Sequence, residues 1–197
     1  MSIRLGLDAS QVVASCAISN DMGIITAATI EKPIEYFPAL IRDVVTRANI
    51  NLRDVDEIVV CIGPGSQTGI RSAVVTGNAL ALALNKPISG ILSTDAAAAL
   101  LKSNDTYSVA VSAGRRRYFM ANYYWNREML CREDAIELVD EIPHNTHSLF
   151  TQGIVDLNVF ESCACGSLII AAHQRQLIAQ SMLSEVLPYE RRDLDGR

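Results

Sequence analysis

The stretch Glu57-Ile58-Val59-Val60-Cys61-Ile62-Gly63-Pro64-Gly65-Ser66-Gln67-Thr68-Gly69-Ile70-Arg71 governs the reading of the whole chain. Its first six residues have the apolar character of a buried strand. The next seven hold three glycines, a proline and two hydroxyls. From about Thr68 to Leu84 the sequence is alanine-rich and nearly uncharged, and it reads as a helix. A glycine-dense turn between strand and helix suggests backbone approaching something closely, whether a phosphate, a substrate or another protein.

The turn is neither of the common phosphate loops. No lysine follows its glycines at the Walker spacing, and Thr68 stands where a dinucleotide fingerprint has its third glycine. A helix N-terminus with free N–H groups can still hold an anion. The plainer reading is a tight turn with a helix cap: Pro64 fixes φ, Gly65 supplies an unusual angle, and Ser66 or Thr68 caps the helix.

Upstream of the turn, Ile3 to Asp8, Val12 to Ser19 and Ile24 to Ile30 read as a three-stranded meander, with a turn at Asp21-Met22-Gly23. A helix is expected from about Phe37 to Asn49. Pro38 suits its first turn, and Leu40, Ile41, Val44, Val45 and Ala48 form one apolar face. Downstream, Lys86-Pro87 stops the long helix and Pro87 to Ile91 is a short strand or link. Ser93 or Thr94 can cap a further helix, Asp95 to Lys102.

At Tyr107 the pattern restarts. Strands are expected at Tyr107 to Ser112, Tyr118 to Trp125 and Met129 to Leu138. A helix follows over Pro143 to Phe150, then a strand over Ile154 to Val159 and a helix over Gly166 to Leu183. Two successive βββα-type halves predict an α/β fold of two ribonuclease-H-like (actin-like ATPase, ASKHA) lobes, mixed sheets with flanking helices, the second lobe reduced. The expected division is 1–104 and 105–197, at the polar break Ser103-Asn104-Asp105.

Composition narrows the function classes. The chain has 197 residues, 49% hydrophobic and 20% charged, which fits a globular protein with a real core. No apolar run approaches the roughly 20 residues that span a bilayer. Asp8 comes too early for the apolar region of a signal peptide, so a cytoplasmic location is expected. Five scattered cysteines are no disulfide framework, and Cys163-Ala164-Cys165 is too tight for a zinc pair. The net charge of −5 argues against a domain that grips nucleic acid on its own. The one basic run, Arg115-Arg116-Arg117, reads as a solvated hairpin tip or as a contact for phosphate or an acidic partner.

Candidate chemistry is sparse. Asp8 and Ser10 end the first strand, where two-lobed phosphotransferases place an acidic residue that organises phosphate and metal. The alternative is a turn aspartate bonding its own backbone. His144 and His147 lack the partners of a metal set and read as surface residues, and no catalytic constellation stands out. The two helices carry more information. Phe37, Leu40, Ile41 and Val44 on one, and Ile70, Val74, Gly77 and Ala81 on the other, offer apolar surface that either fills the chain's own core or meets a partner.

At the turn, Gly63-Pro64-Gly65-Ser66-Gln67-Thr68-Gly69-Ile70-Arg71 resembles the Gly-Pro-Gly-Ser-Phe-Thr-Gly-(Leu/Val/Ile)-Arg signature of the TsaB (YeaZ) family. That family serves tRNA threonylcarbamoyladenosine biosynthesis and was once grouped with glycoprotease-like peptidases. Leu5-Gly6-Leu7-Asp8-Ala9-Ser10 is similar to its opening strand, Tyr36-Phe37-Pro38 to its helix start, and Lys86-Pro87-Ile88-Ser89-Gly90-Ile91-Leu92-Ser93-Thr94 to its Pro-x-x-Gly-Val-Ser-Thr-Leu. Departures are Gln67 for the usual Phe, Ser112-Ala113-Gly114 for Asp-Ala-Arg, and a partial terminal pattern at Tyr189 and Arg191.

The resemblance implies a non-catalytic scaffold. It would pair through these two helices with a TsaD-like catalytic subunit, homodimerise when alone, and work with a TsaE-like ATPase on tRNA. The paralogous catalytic subunit carries a His-x-x-x-His metal site, whereas the corresponding region here, Glu31 to Phe37, has no histidine. No metal or cofactor is expected on the chain alone, with ATP or ADP conceivable in the complex. The alternative is a phosphotransferase of the actin/sugar-kinase type using Asp8 and the glycine turn. A protease lacks any nucleophile–base pair here.

Overall fold

The computed structural model describes residues 2–30, 37–99, 104–127, 129–142 and 148–150. Strands β1 (Arg4–Asp8), β2 (Ala14–Asn20) and β3 (Gly23–Ile30) form the antiparallel meander. Helix α1 (Phe37–Arg47) follows, then β4 (Glu57–Gly63), helix α2 (Gln67–Leu84), β5 (Ile88–Leu92) and the short helix α3 (Ser93–Ala98). β4 pairs with β1 and β5 with β4, both parallel, so the first sheet runs β3-β2-β1-β4-β5.

Strand periodicity decides which helix lies on which face of this sheet. Leu5 and Leu7, Cys16 and Ile18, and Ile58 and Val60 alternate onto one side. There they share a core with Phe37, Leu40, Ile41 and Val44 of α1 and Ile70, Ala73, Val74 and Ala81 of α2. On the other side Ala17 and Cys61 pack with Ala96 of α3.

The second sheet has β6 (Tyr107–Gly114), β7 (Arg117–Asn126) and β8 (Met129–Arg132) in antiparallel order. β9 (Glu137–Val139) pairs with β7, and β10 (Ser148–Phe150) runs parallel to β6. Its core joins Tyr107, Val109, Val111, Ala121, Tyr123, Leu130 and Ile136 to Leu92, Ala97, Ala98 and Ala99, so α3 contributes to both layers.

Several expectations need correction. The single strand expected over Met129 to Leu138 is two strands. Between them the Asp134 carboxylate accepts from the Asn122 N–H (2.9 Å) and side-chain amide (2.7 Å), and the chain leaves the ladder there. The helix expected to reach Phe150 gives way to a strand at Ser148–Phe150; its earlier part, and the elements expected after residue 150, lie outside the described residues. Neither Ser93 nor Thr94 caps α3. Both lie inside it, Leu92 is the N-cap, and the Ser93 hydroxyl instead donates to the Pro64 carbonyl at 2.5 Å. α2 closes on Asn85 in the left-handed conformation (φ 53°), whose N–H bonds back to the last turn, one residue before Lys86-Pro87.

α2 lies on the sheet at Gly77. A Cβ there would overlap Val60 Cγ2 and sit 3.2 Å from Ile88 Cδ1. Gly77→Val is therefore expected to lift α2 off β4 and lower the unfolding free energy by about 2–3 kcal/mol in urea titration. Wild-type stability in that variant would mean that α2 is not fitted this closely.

Candidate functional site

The glycine turn meets the chain's own backbone. Ser66 N–H donates to the Ser10 carbonyl at 2.7 Å. Gly65 has φ 152°, and a Cβ on it would overlap the Ser10 carbonyl oxygen; one on Gly69 would overlap that of Ala9. Two carbonyls of the β1–β2 loop thus lie against the first turn of α2, where unpaired N–H groups and the positive end of the helix favour acceptors. Ser66 is the N-cap by position, but its side chain makes no capping bond. Pro64 is buried, Gln67, Thr68 and Arg71 are exposed, and the Gly63–Pro64 peptide is cis.

Beside this contact lies a buried polar group. Asp8 Oδ1 accepts from the Ser10 N–H at 2.7 Å, an aspartate turn closed on its own backbone. Burial raises the Asp8 carboxyl above its ordinary range, partly offset by that N–H. The Cys61 thiol is pushed well up by burial and then by the Asp8 charge. The Ser10 hydroxyl lies beside Asp8 and Cys61, and Gln11 Nε2 is buried with no hydrogen-bond partner among the described residues.

Sequence reasoning missed a second buried carboxylate. Asp95 is 8% exposed and accepts from Tyr123 Oη at 2.8 Å and Arg132 Nη1 at 3.3 Å. Burial raises its carboxyl, and the Arg132 charge works against that. Its partners lie 28 and 37 residues away on other elements, which no local pattern reveals. This group ties α3 to β7 and β8.

Of the two positions the helix pattern allows, the eight candidate interface residues take the one in the chain's own core. Phe37, Leu40, Ile41 and Val44 of α1, and Ile70, Val74, Gly77 and Ala81 of α2, are all buried beneath their helices against the sheet. The outward stripe of α2 is Thr68, Arg71, Val75, Ala79 and Leu82, with Val75 67% and Leu82 86% exposed. His144, His147 and His173 lie outside the described residues, among which no three His, Cys, Asp or Glu side chains gather in a metal-binding group. No helix among the described residues is long and apolar enough to cross a membrane.

A 3-2-1-4-5 sheet with two helices on one face, joined through a short helix to a second mixed sheet, defines an α/β protein of ribonuclease-H-like topology. A family model described as "TsaD: tRNA N6-adenosine threonylcarbamoyltransferase" matches residues 11–156, and the chain belongs to that family. A tRNA N6-adenosine threonylcarbamoyltransferase of Rhizobium johnstonii is 35% identical over 69 residues, 35% of this chain and 19% of the relative. One from Zymomonas mobilis is 31% identical over 110 residues, 46% of this chain and 30% of the relative. The chain thus aligns with about a fifth to a third of the curated relatives it matches. The fold is that of YeaZ from Pseudomonas aeruginosa, with TM-score 0.77, 18% identity, and 96% of this chain and 100% of that one covered. A second Pseudomonas aeruginosa structure, of a protein with similarity to peptidase YEAZ, gives TM-score 0.78 at 16% identity, covering 96% and 99%.

Two outcomes follow for this site. Gly69→Ala forces a Cβ onto a backbone carbonyl that cannot swing away, and is expected to cost about 2 kcal/mol or more in thermal unfolding; an unchanged melting temperature would refute the close contact. For Asp8 the folded-state carboxyl lies above the unfolded value of 3.8, so the folded protein holds the proton longer. Stability falls as pH rises from 3.8 through the folded value and then levels. Asp8→Asn keeps an acceptor for Ser10 and removes that fall, so it is expected to be more stable than wild type at about pH 7. Parallel denaturation curves at every pH would contradict the assignment.

Proposed function

We propose that this chain is a non-catalytic scaffold subunit of a tRNA N6-threonylcarbamoyladenosine transferase assembly. It pairs with a TsaD-like catalytic subunit, and it homodimerises through the same surface when alone. The observation that carries this reading is the outward stripe of α2. Two large apolar side chains, Val75 and Leu82, stand exposed on a helix with a single charged residue, Arg71. A solvated helix face is ordinarily polar, and an apolar one is an interface in waiting. Membership of the threonylcarbamoyltransferase family supports the identity of the partner. The fold shared with YeaZ agrees with the resemblance of the glycine turn to the TsaB (YeaZ) signature, on which the scaffold role rests. In this reading a TsaE-like ATPase joins the assembly, tRNA is met through the complex, and the compartment is the cytoplasm.

The buried residues of α1 and α2 hold the stripe in place from beneath. An interface test on Leu40 or Val74 would therefore report on folding. The informative variant is Val75→Asp with Leu82→Asp. It is expected to leave the melting temperature nearly unchanged, as surface substitutions do. Association with the TsaD-like subunit is expected to fall at least tenfold by titration, and threonylcarbamoyl transfer to tRNA by the reconstituted assembly to fall with it. Undiminished association would end the reading.

A second reading is nucleotide binding at Asp8 and Ser10, of the kind a phosphotransferase uses. The buried Asp8 carboxylate at the end of β1, beside the glycine turn at the head of α2, favours it. ATP or ADP held there in the complex is compatible with the scaffold role. Calorimetric titration with Mg-ATP separates the two readings: tight binding by the lone chain, abolished by Asp8→Ala, would favour the kinase.

A further inference from the structure

We propose that the β6–β7 hairpin tip, Arg115-Arg116-Arg117, is a contact for the phosphate backbone of RNA. The inference rests on the reading of the chain as part of a tRNA-modifying assembly, and supplies a surface through which the chain itself would touch that substrate.

The tip is a two-residue turn closed by the pair Gly114 and Arg117. Its central residues, Arg115 and Arg116, are both left-handed, with φ 54° and 59°, and Gly114 before them has φ 74°. That is the geometry of a type I′ turn, which favours Asn-Gly and disfavours residues with long side chains. Two arginines therefore occupy the positions where the backbone gains least from them. Both are exposed, Arg117 is partly so, and none of the three has an ion-pair partner among the described residues. Arg4, Arg47, Lys86 and Arg132, by contrast, are paired with carboxylates.

The charge is also out of keeping with the rest of the chain. The net charge is −5, yet three of 17 Lys and Arg residues are consecutive on one hairpin tip. Three cations so close together suit a ligand offering several negative charges at short, regular spacing. A nucleic-acid backbone does so at every nucleotide, and the planar guanidinium fork matches a phosphate in two hydrogen bonds. An isolated acidic side chain on a protein partner would engage one of the three.

The turn also provides a test variant that should fold. Arg115→Asn with Arg116→Gly removes two charges and installs the residues a type I′ turn favours. Arg115→Lys with Arg116→Lys keeps the charges without the forks. An unmodified tRNA transcript is titrated against the full chain paired with the TsaD-like subunit, by fluorescence anisotropy, between about 50 and 200 mM salt. The Asn-Gly variant is expected to bind at least tenfold more weakly at the low-salt end. Its plot of log affinity against log salt is expected to flatten by about 1.8, at about 0.9 for each phosphate that is no longer neutralised. The Lys-Lys variant is expected to keep most of the slope. Equal affinity and slope in the wild type and the Asn-Gly variant would overturn the proposal. So would a defect confined to association with the protein partner, which would make the tip a carboxylate contact. Failure of the wild type to pair with the TsaD-like subunit would count against the scaffold reading instead, and the same titration on the lone chain would still read the tip.

Discussion

The contact on which the rest of the structure depends is that between the glycine turn and the backbone of Ala9 and Ser10. A strand-to-helix connection and a hairpin loop are pressed together with no side chains between them. Ser66 N–H is held on the Ser10 carbonyl, and Gly65 and Gly69 have no Cβ to keep them apart. The contact fixes the head of α2 over the end of β1, and thereby fixes which side of α2 faces the sheet. A phosphate cradle would use the same ingredients, since both exploit backbone N–H groups at a helix N-terminus. Here one such group, the Ser66 N–H at the N-cap, is already taken by the Ser10 carbonyl of the same chain.

From the turn the constraint passes to the second sheet. Pro64 O accepts the Ser93 hydroxyl, and α3 begins there. Two residues on, Asp95 takes hydrogen bonds from Tyr123 and Arg132. A buried carboxylate with one charged and one neutral donor is costly to break, because removing either partner strands a desolvated acceptor. The small side chains Ala96, Ala97 and Ala98 let α3 lie close to both layers. One short helix, with little propensity of its own to persist alone, is held by side-chain bonds at its start and by packing along its length.

Much of this was legible because periodicity reports burial directly. The meander, the runs in β4 and β6 and the helix over α2 follow from alternation or helical spacing, and the structure places them within a residue or two. The glycine signature pointed to the family without help from the fold. What the sequence left open depended on distant partners. Asp95 looks like an ordinary first-turn acid until Tyr123 and Arg132 are brought to it. Ser93 and Thr94 have the composition of a cap, yet the Pro64 carbonyl engages Ser93 first. The break between β8 and β9 follows from Asp134 reaching Asn122 across the ladder, which apolar patterning does not record.

The two faces of α2 illustrate the deepest ambiguity. Ala73, Gly77 and Ala81 recur at a spacing of four, and such a stripe invites close approach by any flat surface, a sheet or another helix. Sequence alone does not distinguish the two. The structure assigns the stripe to the sheet, since a Cβ on Gly77 would overlap the Val60 side chain. Small residues belong where backbones come nearest, and the strands beneath already supply the bulk of Ile58, Val60 and Ile88. Ile70 and Val74 fill the space on either side of that contact, while Val75 and Leu82 are turned outward, where a monomer gains nothing from them. A nearly uncharged helix can satisfy two surfaces at once, and the glycine pressed onto Val60 tells which of them the chain provides for itself.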